Sequence, residues 1–464
     1  MFPDAFLQRI KMQPYIDYES LVHGLSNAAP VSIRINPYKL KSEPLHSDPI
    51  PWCRSGFHLE TRPSFTLDPL FHAGCYYPQE ASSMFIEEVF RQLAGNSDGL
   101  KVLDLCGAPG GKSTHISSLI GNKGLLVANE VIRSRAVVLA ENITKWGVSN
   151  TIVTGSDPAA FTHMPGYFDI VLVDAPCSGE GMFSDPDVRK EWSPGNAVLC
   201  SERQKRIMMD VWPALKENGF LIYSTCTFNP DENEENVKWL LRSKNGEAIS
   251  IDTSGYKMIT EIDKDGIPGY GFYPGKIRGE GFFLSVIRKK EKCDSHTGRV
   301  KNRKSFIPGS EEIRKASELS DFLPESLIKI TDDIIAVPCS LNDYILLSEK
   351  LRVVKHGTKI YSSKSKDIIP SHELALSIRS GISVDNTLNL GYDHALRYLR
   401  RENVRVTGIS PGWILVQYKG VNIGFLKNIG NRMNNYYPVE WRIKLRSSDN
   451  EEDKIIKWIH TSVD

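Results

Sequence analysis

One stretch constrains this chain more than any other: residues 101 to 224, where short apolar strands alternate with helices. Lys101-Val-Leu-Asp-Leu-Cys106 reads as a buried strand, followed by a Gly-rich turn and a helix from Ser113 to Ile120. Gly124–Glu130 is a second strand, with a helix over Arg133–Trp146 behind it. Thr151–Gly155, Phe168–Asp174 and Gly219–Ser224 supply three more strands, with a helix over Cys200–Leu215 before the last. Continuous apolar strands separated by helices predict an α/β fold with a parallel sheet covered on both faces. Ligands of such sheets bind at the carboxyl ends of the strands. Gly279–Ile287 is expected to add an edge strand, and a strand over Val31–Asn36 and a helix over Ala81–Leu93 precede this alternation, which contains no internal sequence repeat.

The turn after the first strand is Cys106, Gly107, Ala108, Pro109, Gly110, Gly111 and Lys112. A P-loop would need Gly where Cys106 stands. Pro109 also removes a backbone donor that a phosphate cradle uses. The three-glycine dinucleotide fingerprint does not fit either. What remains is a turn that lets a ligand approach the backbone closely. Glu130 ends the second strand, where a carboxylate can accept bonds from both ribose hydroxyls of a nucleoside. Asp157 follows the third strand, within reach of an adenine amino group. Each acid alone could simply cap the next helix. Together with Asp174 they surround the turn and favour a nucleoside cofactor.

Two cysteines end adjacent strands: Asp174-Ala-Pro-Cys177-Ser-Gly179 the fourth, Ser224-Thr-Cys226-Thr227 the fifth. Free cysteines are commonly inert and buried. A pair at neighbouring strand ends reads instead as two thiols facing one cleft. The residues leave open which thiol attacks a substrate.

The eight cysteines contain no CxxC pair and no Cys/His zinc spacing, so no metal is expected. No apolar run reaches the ~20 residues of a membrane span. Residues 1–12 lack a signal-peptide core, and a cytoplasmic location is expected. The net charge of +1 is uninformative, but its distribution is not. Residues 288–304 carry eight basic side chains against two acidic, and residues 395–446 ten against two. The second stretch interleaves Tyr398, Trp413, Tyr418, Phe425, Tyr436, Tyr437 and Trp441. Cations neutralise phosphates and rings stack on bases, so this tail is a candidate RNA surface. An ordinary β core under a solvated face is the alternative. Trp413–Tyr418 and Val421–Phe425 predict a hairpin turning at Lys419-Gly420.

The motifs from Cys106 to Lys112, Asp174 to Gly179 and Thr225 to Thr227 resemble those of the Nol/Nop/Sun RNA cytosine-5 methyltransferases. Arg34-Ile-Asn36, Tyr77–Ser83 and Arg278–Phe283 resemble further signatures of that family. Pro370–Ala375, Tyr398-Leu-Arg400, Gly412-Trp413 and Gly424–Asn428 are similar to the tail of bacterial RsmF-type 16S rRNA methyltransferases. The resemblance implies a Rossmann-like methyltransferase domain between a small α+β N-terminal domain and a PUA-like β-rich domain. The expected boundaries are 1–75, 76–290, a basic linker at 291–308, an intermediate α+β region at 309–380, and 381–464. It implies S-adenosylmethionine as cofactor, held by residues 106–112, Glu130, Asp157 and Asp174. It assigns Cys226 as nucleophile and Cys177 to product release, with Asp174 and Lys112 assisting. The implied partner is 16S rRNA or the small ribosomal subunit, and the implied state a monomer. Two positions depart from the pattern: Gly275, where His is frequent, and Arg401, where Gly is expected.

Three other readings compete. The same motifs could serve a tRNA, or the fold could serve a non-catalytic ribosome-assembly factor. A P-loop ATPase is the third. If the tail binds RNA, a chain ending near Phe306 should hold rRNA more weakly.

Overall fold

The computed structural model describes residues 1–95, 98–293, 303–364, 367–378, 381–404, 408–445 and 450–459. Most of the expected basic linker, residues 294–302, lies outside them. Among the described residues, five parallel strands form the centre of one large sheet, in the order Leu215–Thr225, Phe168–Asp174, Lys101–Asp104, Leu125–Asn129, Thr151–Thr154. Alternate residues of these strands enter two cores. Val102, Leu126 and Ile170 pack with Ile116, Leu139 and Ile143 on one face. Leu103, Val127 and Val171 pack with Ile207, Met208 and Val211 on the other. Burial on both faces is why these strands read as unbroken apolar runs. The chain runs outward from Lys101–Asp104 for two strands, then returns to pair on its other side. That reversal opens a crevice at the carboxyl end of the first strand, the place where such sheets bind ligands.

Phe282–Lys289 is not the expected edge. It pairs antiparallel with Leu215–Thr225, and Ile267–Phe272 and Gly246–Ile249 pair with it in turn. Ile267–Phe272 carries glycines at 269 and 271, which hid it in the sequence. The helix expected over Cys200–Leu215 spans Pro194–Val211, because Ser193 caps it and Pro194 occupies the first turn. The helix expected from Ala81 begins as a 3-10 turn, Ser82–Phe85, and becomes α-helical at Ile86–Ala94.

The N-terminal residues form a four-stranded antiparallel sheet against this core. Their signature residues act as brackets. Asn36 Nδ2 donates to the carbonyls of Gly74 and Trp146, at 3.0 and 2.8 Å. Arg34 Nε donates to Gln79 Oε1 at 2.8 Å, Arg34 Nη2 donates to Thr114 Oγ1 at 2.6 Å, and the guanidinium lies over the Trp146 ring. The Glu80 carboxylate accepts from the N–H groups of Ser82, Ser83 and Glu280, tying two distant signatures together.

Residues 327–370 form another small sheet, but Val353–Lys355 leaves it and pairs with Thr151–Thr154 in the main sheet. The tail sheet is built on the expected hairpin, Gly412–Tyr418 with Val421–Asn428. Lys419 and Gly420 both have positive φ, as a two-residue turn matching strand twist requires. This tail shares a core with the N-terminal sheet, in which Ile33, Ile35 and Tyr76 join Leu396, Tyr398 and Ile414. Leu45 N–H also donates to the Lys457 carbonyl at 2.7 Å.

Four aromatics offered as an RNA surface, Tyr398, Tyr418, Phe425 and Tyr437, are instead buried. Tyr418 and Phe425 lie on buried faces of the sheet, Tyr398 on the helix Tyr392–Leu399 packed against it and Tyr437 just past the last strand. Trp413, Tyr436 and Trp441 keep partial exposure. Both departures from the family pattern have local reasons. A Cβ on Gly275 would lie 2.2 Å from the Ser20 carbonyl oxygen, so a helix over Tyr18–Ser26 occupies the space a larger residue would need. Arg401 has φ +63° just past the helix Tyr392–Leu399, the left-handed position where glycine is usual. Its guanidinium donates to the Tyr437 carbonyl.

Candidate active site

The crevice gathers every side chain proposed for chemistry. Asp174 ends the fourth strand and Ser224 lies opposite it on the fifth. Lys112, on the first turn of the helix Gly111–Leu119, places Nζ 2.8 Å from Asp174 Oδ2. Ser224 Oγ donates to Asp174 Oδ1 at 2.8 Å. Burial opposes the charge on Lys112, but Asp174 outweighs it, with Asp104 and Cys226 adding to the effect, so the ammonium is held more firmly than usual. Lys112 Nζ also lies 5.0 Å from the centre of the Phe282 ring, a contact that the strand after residue 280 supplies.

Cys177 and Cys226 face each other with their sulfurs 3.0 Å apart, and Cys226 N–H points at Cys177 Sγ at 3.3 Å. The hydrogen bond to Cys226, and then burial, push the Cys177 thiol far above its ordinary range. Cys177 therefore holds its proton firmly. Burial, reinforced by the nearby carboxylates, likewise raises Cys106 and keeps it an inert thiol.

Two buried carboxylates that sequence reasoning missed shape the thiol loops. Glu232 accepts from Ser178 N–H at 2.9 Å, Ser178 Oγ at 2.5 Å and Gln204 Nε2 at 3.0 Å. Glu180 accepts from Trp192 Nε1 and Phe228 N–H and pairs with Arg9 Nη2 at 2.5 Å. Gly181 N–H donates to the Cys226 carbonyl, so the loops carrying the two thiols are bonded to each other directly. Nothing local in the sequence marks Arg9, because its partner lies 171 positions away.

A third missed residue, Asp104, did carry a signal: it is the one carboxylate inside the first apolar strand. It is 1% exposed, and burial raises it to about 7. Its Oδ2 accepts from Ser113 Oγ at 2.6 Å, while Oδ1 has no partner among the described residues. Gly107 lies directly above, where a Cβ would come within 2.6 Å of Ser113 Oγ. Glu130, also buried, accepts from Ile132 N–H at 2.9 Å and lies 3.5 Å from Arg135. Arg135 in turn donates to the Ala108 carbonyl at 2.8 Å, linking the acid to the turn. Asp157 does cap the next helical turn, accepting from Ala159 N–H at 3.0 Å, and it stays exposed. An orphaned acceptor, a glycine-rich turn and an acid at the next strand end fit a ligand with a cationic head and a ribose, as S-adenosylmethionine has.

Residues 92–288 match the family model "16S rRNA methyltransferase RsmB/F". Residues 2–81 match the N-terminal domain of 16S rRNA methyltransferase RsmF, and residues 385–443 the methyltransferase RsmF PUA domain. Ribosomal RNA small subunit methyltransferase F of Vibrio atlanticus is 33% identical, over 94% of this chain and 97% of that protein. Its namesake from Shewanella piezotolerans is 32% identical, over 94% and 96%. Among solved structures, a methyltransferase homolog protein from Pyrococcus horikoshii is 27% identical, with a TM-score of 0.52 over 62% of this chain and 95% of that one. NSun6 from the same organism, solved with SFG, shares the fold at 19% identity and a TM-score of 0.51, over 63% and 99%. No helix among the described residues is long and apolar enough to cross a membrane. The chain belongs to the ribosomal RNA small subunit methyltransferase F family, S-adenosylmethionine-dependent enzymes with an RsmF N-terminal domain and a PUA domain.

Proposed function

We propose that this protein methylates carbon 5 of a cytosine in 16S rRNA through a covalent adduct with Cys226. The observation that carries the reading is the pair of thiols 3.0 Å apart beside the Lys112–Asp174 ion pair. Carbon 5 of cytosine is a poor nucleophile. A thiolate that adds to carbon 6 turns it into an enamine-like carbon able to take a methyl group. The cofactor supplies that methyl as a sulfonium. Cys106, Gly107, Ala108, Pro109, Gly110, Gly111 and Lys112 line its cradle, with Asp104, Glu130 and Asp157 as acceptors.

Cys226 is the attacking thiolate and Cys177 the protonated neighbour that steadies it. As Cys226 adds, negative charge moves to ring nitrogen 3, where Asp174 would meet it. The Lys112 ammonium, bonded to Asp174, supplies the proton, which passes through the Asp174 carboxylate to nitrogen 3 and leaves Lys112 neutral. After methyl transfer the proton on carbon 5 must leave before the thiol can depart. The first cause of the raised Cys177 thiol is its bond to Cys226. Once Cys226 is a thioether that cause is gone, so Cys177 gives up its proton to solvent more readily, and its thiolate, or a water it orders, takes the proton from carbon 5. The match of the tail to the RsmF PUA domain supports rRNA as the substrate, with Trp413, Tyr436 and Arg432 on its accessible side.

Two variants test the roles, read as protein–RNA adduct on a denaturing gel after incubation with 16S rRNA and cofactor. Cys226→Ala should give neither adduct nor product. Cys177→Ala should accumulate the adduct and turn over at least ~100-fold more slowly. Normal turnover by Cys177→Ala, or an adduct with Cys226→Ala, would reverse the assignment.

A further inference from the structure

Away from the crevice, three side chains from three elements point at one spot. Cys53 lies in the turn before the strand Gly56–Leu59, Glu87 in the first turn of Ile86–Ala94, and His115 in the helix Gly111–Leu119. His115 Nε2 is 3.0 Å from Glu87 Oε2 and 3.9 Å from Cys53 Sγ, and the three donor atoms lie within 4.8 Å of one another. We propose that Cys53, Glu87 and His115 form a binding site for a thiophilic divalent cation, Zn2+ in the first instance.

Convergence on one nitrogen separates this arrangement from a proton relay. A Cys–His–carboxylate relay uses both ring nitrogens, one for the thiol and one for the acid. Here thiol and acid share Nε2, and Nδ1 has no partner among the described residues. Ligand atoms around a tetrahedral zinc, at its usual bond lengths, stand about 3.4–3.6 Å apart. The observed 3.0 and 3.9 Å bracket that spacing. Glu87 Oε1 is already bound to Arg54 N–H at 3.2 Å, an outer bond of the kind that orients a ligating carboxylate. A cavity of about 460 Å³, lined by Cys53, Glu87, Glu88, Arg91 and Tyr256 among others, gives a cation an entry path and a water its fourth position.

Electrostatics set the terms of binding. Burial, reinforced by the Arg34 charge and opposed by Glu87, leaves His115 at about 4 and hence neutral, the form that ligates a metal. Burial lifts Cys53 to about 12, so the cation must displace its proton into solvent. Arg34 lies close enough to act on all three groups and works against a cation. Gln79 and Thr114 hold its guanidinium, and the Cys53 thiolate with the Glu87 carboxylate supply two negative charges against the cation's two, leaving the Arg34 charge uncompensated by these ligands. His115 sits in the helix that begins at the cofactor turn, and Cys53 belongs to the N-terminal sheet region. A bound cation would clamp one to the other without touching the reacting atoms.

The test is a Co2+ titration of chelator-treated full-length protein, followed by the thiolate-to-cobalt charge-transfer band and by competition with Zn2+. One equivalent of Co2+ should raise the band, with one proton released, and Zn2+ should abolish it. Cys53→Ser and His115→Gln should weaken binding at least tenfold, on the scale of ~10–100-fold known for lost metal-site partners. Cys177→Ser/Cys226→Ser should keep the band. Absence of the band in the unaltered protein would overturn the site. So would a band that survives Cys53→Ser and disappears with the catalytic thiols.

Discussion

Asp104 is buried beneath the glycine-rich turn with one oxygen unpartnered among the described residues, and its carboxyl rises from 3.8 to about 7. A raised acid costs stability once the unfolded chain can ionise more easily than the folded one. That cost starts as pH passes about 4, grows to about pH 7 and is constant above. Asp104→Asn should therefore be more stable than the parent at pH 8, by about 1 kcal/mol after the amide meets the same unpartnered space. The gap should shrink by pH 5, and thermal melts at the two values check it. The same substitution should weaken cofactor binding, because it removes the carboxylate under the turn. Asp104 was legible as a lone acid in an apolar strand. Glu180 and Glu232 were not, because their meaning lies in Arg9, Trp192, Ser178 and Gln204, partners that only folding brings near.

At the scale of elements, the parallel strands and the helix Arg133–Trp146 follow from an apolar period and sharp ends, Gly147 in the left-handed conformation among them. What escaped were strands whose pattern is broken, such as Ile267–Phe272 with two glycines, and the short Val353–Lys355, whose partner lies some 200 positions away. Burial of the tail aromatics was equally hidden, since a ring that stacks on a base and a ring that fills a β core look alike in one dimension. Arg401 tests the helix end directly. A left-handed non-glycine residue costs roughly 1–2 kcal/mol, which its hydrogen bond to Tyr437 offsets by about 1 kcal/mol. Arg401→Ala keeps the strain and loses the bond, so denaturant unfolding should show it about 1 kcal/mol less stable than Arg401→Gly.

Across the whole molecule, the terminal regions are not appendages. The N-terminal sheet and the tail share a core, and the intermediate region donates a strand to the catalytic sheet. A chain ending near Phe306 would thus lose core packing and a sheet edge as well as the proposed RNA surface. Buried histidines report on these seams. His72 bonds Tyr437 OH at 3.3 Å, and His372 packs on Tyr437 and Trp441. Burial, then nearby lysine charge, lowers both to about 3, and burial lowers His115 to about 4. The unfolded chain takes up their protons first, so stability present above pH 6.5 is lost as pH falls towards those values. Each histidine should cost up to about 2 kcal/mol by pH 5, seen as a falling melting temperature that His372→Asn makes shallower.

The central proposal is methylation of one class of RNA at one ring carbon, and bisulfite sequencing reads both at once. rRNA and tRNA from cells with and without this gene should differ at a cytosine of 16S rRNA, protected only when the gene is present. Unchanged maps would contradict cytosine-5 chemistry, and a difference confined to tRNA would contradict the substrate.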